Sequence, residues 1–153
     1  MTETAVAAGV TTKLASSEIR KAAGGAAALA IVLATIDAFV GSNGGLVTVA
    51  IVTAVVGVAT VGVFLLAVPW ALNLEEPGTS VVAVLASLLG LLTVVIFWSG
   101  LPPVFAAAGI VLGRSQASAW EGRFYARAAE VVGFAAIALY VVRVFADIVS
   151  SIV

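Results

Sequence analysis

PGTSVVAVLASLLGLLTVVIFWSGLPPVFAAAGIVLG, residues Pro77 to Gly113, is a run of 37 residues without a charge, interrupted once, at Ser99-Gly100-Leu101-Pro102-Pro103. A straight helix rises about 1.5 Å per residue, so the run would reach roughly 55 Å, against a hydrocarbon core about 30 Å thick. It must fold back or overshoot. Pro102 and Pro103 lack backbone donors and push the residues before them out of helical geometry. A helix is therefore predicted to end near Ser99 and another to begin near Pro103. Ser80 to Trp98 is then of spanning length, whereas Val104 to Gly113 is about half a span, roughly 15 Å.

The surrounding chain is equally unsuited to water. Of its 153 residues, 63% are hydrophobic and 10% charged, and the mean hydropathy is +1.25; soluble domains carry about 25% charged residues. The length accommodates about four spans with short connections, and no further module. With no Cys, no His and Met1 as the single Met, haem, iron-sulfur and ordinary zinc sites have no ligands in this chain, and no cofactor is expected. A net charge of -1 provides no field to attract nucleic acid.

Residues 1–21 read as a polar tail, helical at its end, where Ser16 or Ser17 would cap and Glu18 would face the helix dipole. Residues 22–153 form a single transmembrane helical domain. Arg20 and Lys21 flank a first span, Ala22 to Val40; a secretory signal peptide has the same basic flank, but this run is longer than a signal core. Gly41-Ser42-Asn43-Gly44-Gly45 is a turn, since Gly and Asn tolerate positive φ. Leu46 to Leu72 forms a second span, with Pro69 as a kink and Trp70 at an interface. Asn73 to Thr79 is a surface loop, and the last helix runs from Gly122 toward Ser150. The expected fold is an all-α integral membrane protein: four spanning helices plus one half-length segment.

Orientation depends on the Pro-Pro break. Lys13, Arg20 and Lys21 argue for a cytoplasmic N-terminus, and Arg114, Arg123 and Arg127 for a cytoplasmic loop before the last helix. A plain four-span order puts the second cluster outside. If Val104 to Gly113 returns toward the cytoplasm, both clusters lie inside, and the charge rule favours this five-segment order. The short segment must then be shielded by its neighbours or thin the bilayer.

Leu88-Leu89-Gly90-Leu91-Leu92, the run from Leu101 to Arg114 and Arg127-Ala128-Ala129-Glu130-Val131-Val132-Gly133 together resemble small membrane proteins of high-GC Gram-positive bacteria. Those proteins are grouped as domains of unknown function. The resemblance covers Ser80 to Val142 and implies a bacterial, uncharacterised membrane protein without any assigned activity or functional residue. Glu130 and the extra N-terminal pair of spans depart from that pattern.

Small residues recur at helical spacing: Ala50, Thr53, Ala54, Gly57 and Thr60 on the second span, Ala83, Ala86, Ser87, Gly90 and Thr93 on the third, and Gly109 with Gly113 on the short segment. In lipid, such stripes let backbones approach closely. Gly57 and Gly90 are expected at helix contacts, with Val55 and Leu92 facing elsewhere. On the last helix, Glu130, Gly133, Ala136, Ile137, Tyr140, Arg143 and Asp147 share one face. Arg127 with Glu130, and Arg143 with Asp147, lie at pairing distance along the helix. Ionisable groups at membrane depth are costly and should face inward or toward water. Asp37, Glu130, Arg143 and Asp147 thus form the candidate intramembrane polar site, with Asp37 pairing across the bundle to Arg143 in the five-segment order or to Arg127 in the four-span order.

No constellation supports an enzyme. Ser and Thr occur without His, the glycines lie in turns or stripes rather than a phosphate loop, and Glu75 and Glu76 are adjacent and cannot share a helix face. The expected function is non-catalytic: a scaffold or accessory subunit of a membrane complex in the cell (plasma) membrane. Its partners would be the lipid bilayer and a membrane protein or a second copy of itself. The alternative is a small channel or carrier using Glu130, Arg143 and Asp147.

Overall fold

The computed structural model describes residues 17, 19–33, 35–36, 45–75, 78–116 and 123–152, with 97, 98, 151 and 152 described by backbone alone. The described residues are helical apart from short connections. Helix α1 covers 19–33; α2, Leu46–Leu72; α3, Gly78–Leu92, continued by a 3-10 segment over Thr93–Ser99; α4, Leu101–Ser115; α5, Arg123–Ile152. Three segments are long and apolar enough to cross a membrane: Leu46–Leu72, Gly78–Ile96 and Arg123–Ser150. The first expected span is described as helix only over 19–33 and 35–36. The expected turn at Gly41–Gly44, Asp37, and the tail up to Ser16 lie outside the described residues.

Pro69 does not break α2. Its ring cannot donate a hydrogen bond and crowds the carbonyl four residues earlier. The ladder widens instead into a π-helical stretch over Gly62–Ala67, and the helix continues through Val68–Leu72. At its end, Asn73 Nδ2 donates to the Pro69 carbonyl at 3.0 Å. The Thr79 hydroxyl faces the carbonyls of Ala71 at 2.9 Å and Leu74 at 3.1 Å. One buried hydroxyl from the next helix thus caps α2. Gly78 and Thr79, expected in a surface loop, therefore form the first turn of α3, with Thr79 fully buried.

The break falls at Gly100. The hydroxyl of Thr93 faces the carbonyls of Leu89 and Gly90 where the α-helix tightens to 3-10, and Ile96 leaves helical geometry at φ -105°, ψ 47°. Gly100 then takes φ 68°, and a Cβ there would lie 2.6 Å from Val56 Cγ2. Conformation and space both require glycine. Pro102 and Pro103 fall in the first turn of α4, where missing N–H groups cost nothing. The new helix thus starts two residues before the expected Pro103.

α4 is the axis of the molecule. Pro102, Pro103, Val104, Ala106, Ala108, Gly109, Ile110, Leu112 and Gly113 are all buried. A Cβ on Gly90 would meet the Ala106 backbone at 2.8 Å, and one on Gly109 the Ala83 carbonyl at 2.8 Å, so α3 and α4 run antiparallel in close contact. One on Gly113 would meet the Ala126 carbonyl at 2.7 Å, and one on Gly133 the Ala106 carbonyl at 3.0 Å, which fixes α5 antiparallel to α4. Between the parallel pair α3 and α5, Ser87 Oγ donates to the Ala129 carbonyl at 2.7 Å. Small side chains thus bring three backbones together, and a short helix with protein neighbours has its backbone shielded.

α1 and α2 cover the other side. Ala26, Ala30 and Leu33 of α1 are buried, with Ile19, Ala22, Ala23 and Ala27 half-buried, a helical stripe of three and four. Val56, Phe64, Val68 and Ala71 are the buried residues of α2. Most of the small-residue stripe of α2 does not pack, although the Thr60 hydroxyl is buried. Ala50, Thr53 and Ala54 are exposed, and a Cβ on Gly57 meets nothing within 4 Å. The expectation of a close contact at Gly57 is corrected accordingly, whereas Val55 and Leu92 are exposed as expected. Gly57→Leu should leave the thermal unfolding of the purified protein within about 0.5 kcal/mol of wild type, as at surface positions.

Candidate functional site

Alternating helix directions gather the basic residues. Ile19, Lys21 and Ala22 at the start of α1 share a groove with Leu72 at the end of α2 and with Ile110, Val111, Arg114 and Ser115 at the end of α4. Arg123 and Arg127 open α5 at the same end, where Gly113 faces Ala126. Arg20, Lys21, Arg114, Arg123 and Arg127 therefore cluster at one end of the bundle, with Glu75 and Glu130 as the acidic residues described there. Lys13 lies outside the described residues. Arg143 and Asp147 lie toward the opposite end of α5.

Arg114 is the fixed point of the basic end. Its Nε donates to Glu130 Oε1 at 3.0 Å, and its Cζ lies 5.6 Å from the centroid of the Phe134 ring. The arginine side chain is 61% exposed and the glutamate 30%, so the pair is solvent-screened and contributes at most about 1 kcal/mol. The ring contact adds about 0.5–1 kcal/mol. These contacts set the direction of the guanidinium more than they stabilise the fold. Glu130 thus pairs with an arginine of the neighbouring helix rather than with Arg127, three residues earlier on its own helix.

Of the four residues expected to form an intramembrane polar site, Glu130 lies apart from Arg143 and Asp147 along α5. Glu130 is held at the basic end by Arg114. Asp147 lies 17 residues further along α5, about 25 Å away at helical rise. Arg143 is exposed and Asp147 half-buried, while Asp37 lies outside the described residues. The buried stripe of α5 runs through Ala126, Ala129, Gly133, Ala136, Tyr140 and Val144. Of the face expected to carry charge inward, its small residues and Tyr140 are buried. Leu33 of α1 packs with Tyr140 and Val144 in a second cluster.

The groove beside Arg114 has a volume of about 550 Å³. Its walls are Ile19, Ala22, Leu72, Ala107, Ile110 and Val111, with Phe134 beside them and Lys21, Arg114 and Ser115 as its polar members. Sequence reasoning used Lys21 and Arg114 only as markers of orientation. Their proximity depends on the return of α4, which no local pattern reveals. No family model, curated protein or solved structure matches the chain, and no family is shown for it.

Proposed function

We propose that this chain is a multi-pass protein of the cell membrane that acts without catalysis, as a scaffold or accessory subunit. In this reading α1, α2, α3 and α5 cross the bilayer, and α4 returns within the protein to the cytoplasmic side. Five basic residues at one end supply the orientation. The observation that carries the scaffold reading is the contrast between α4 and α2. Contacts of α4 with α3 and α5 are close-packed through Gly, Ala and Ser. By contrast, the spanning window of α2 is 11% buried and turns an apolar surface outward, including Ile51, Val55, Val58, Leu65 and Leu66. A face of that size, with Gly57 open beside it, suits a second helical protein or a second copy.

Two measurements test this reading. Purification in mild detergent should recover the chain in an assembly larger than the monomer, and reconstituted liposomes should show no proton or cation leak above empty vesicles. A monomer giving a leak that Glu130→Gln abolishes would overturn the scaffold reading in favour of a channel or carrier.

A further inference from the structure

Three aromatic side chains stand exposed at the basic end of the bundle. Trp70, near the end of α2, is 60% exposed, and Phe124 and Tyr125, in the first turn of α5, are 79% and 46% exposed. The two rings on α5 meet edge to face, with centroids 5.8 Å apart. Both helices reach this level beside the end of α4, because Leu72 shares a groove with Arg114 and Gly113 faces Ala126. Their exposed surfaces change character there in the same order. Along α2, exposed Leu65 and Leu66 give way to Trp70 and then to exposed Asn73 and Glu75. Along α5, Arg123 and the aromatic pair lead into exposed Val131, Phe134 and Leu139. Arg127 lies between, and a helical side chain leans toward the helix start, so its head reaches the same level.

Polar, aromatic and aliphatic surface thus succeed one another on two helices that meet this level from opposite chain directions. An indole or phenol joins an apolar body to a polar tip, which suits the layer between lipid headgroups and hydrocarbon, where Trp and Tyr gather. We propose, resting on the membrane reading, that Trp70, Phe124 and Tyr125 dock into the headgroup boundary at the basic end, and that the opposite boundary crosses α5 between Arg143 and Asp147. Arg143 lies 18 residues beyond Tyr125 and Asp147 22 residues beyond it. At helical rise these are about 27 Å and about 33 Å, on either side of a hydrocarbon core about 30 Å thick. Arg143 and Asp147 then meet headgroups and water, not the membrane interior.

The test is fluorescence quenching of the full chain in vesicles of phosphatidylcholine brominated either near the headgroup or near the acyl terminus. Trp98→Phe with Trp120→Phe leaves Trp70 as the single indole. Adding Trp70→Phe with either Ala135→Trp or Phe145→Trp moves that indole to an exposed position of α5, the first midway between the two boundaries and the second at the far one. Trp70 and the indole at 145 should each be quenched about twofold more by the shallow bromines, and the indole at 135 about twofold more by the deep ones. If Ala135→Trp loses helicity by circular dichroism, Phe134→Trp carries the probe at the same depth. Stronger quenching of Trp70 or of position 145 by the deep bromines, or one profile shared by all three positions, would overturn the proposal and leave the membrane reading intact. Indifference of all three to either brominated lipid would overturn both.

Discussion

Gly109→Leu should abolish the folded state in detergent, seen as loss of the cooperative thermal transition and early elution on gel filtration. A Cβ on Gly109 would fall among the Ser87 hydroxyl, the Ser87 nitrogen and the Ala83 carbonyl, the last two at 2.8 Å. Two of these three atoms belong to backbone, which no rotamer change can move aside. Overpacking a core costs about 1–3 kcal/mol even where side chains can shift. At Gly109, α3 must move away from α4, which also separates Gly90 from Ala106 and strains the Ser87 to Ala129 hydrogen bond. Several contacts are lost with one substitution. Survival of the cooperative transition in Gly109→Leu would mean that α3 and α4 are further apart than described.

Tyr140→Ala should have the next largest effect. Tyr140 heads the large side chains that are fully buried, at 1% exposure, and it anchors the cluster that ties Leu33 of α1 to Val144 of α5. In a membrane the transfer term of a core truncation largely vanishes, because lipid is as apolar as the interior. The cavity term remains. A residual cavity on the order of 100 Å³ at about 24 cal/mol per Å³ gives a loss of about 2–3 kcal/mol. Val142→Ala, two residues along and 63% exposed, should change stability by less than about 0.5 kcal/mol. Equal melting shifts in the two variants would show that the helix is rotated from its described orientation.

What could be read from the chain follows the range of the interactions concerned. The reversal at Ser99 to Pro103 was legible because glycine and proline act through their own backbone, and the error was two residues. Pro69 has the same chemistry, but an α-helix can absorb one missing donor by widening to a π-turn. Nothing local to Pro69 distinguishes that outcome from a kink. Gly57 and Gly90 illustrate a second limit. Both sit in Ala-, Val- and Leu-rich helices with small residues three and four positions away, yet Gly90 presses on Ala106 and Gly57 faces open space. The difference lies entirely in which helix is adjacent.

Charge shows the same dependence. Helical spacing pointed Glu130 to Arg127, since residues three apart are neighbours on a helix. The partner is Arg114, 16 residues away in sequence and brought alongside by the return of α4. The groove that joins Lys21 to Arg114 has the same origin, and its residues span positions 19 to 134.

If α4 returns as proposed, both basic clusters lie on one side of the membrane. The chain has no Cys, so Gly45→Cys and Gln116→Cys can each be labelled with a membrane-impermeant thiol reagent in intact cells without background. Gly45 is exposed at the start of α2 with open space for a side chain, and Gln116 ends α4 at the basic end. The thiol at position 45 should label from outside, and the thiol at 116 only after permeabilisation. Labelling of position 116 in intact cells as readily as position 45 would contradict the return of α4, and would place Arg114, Arg123 and Arg127 on the outer face.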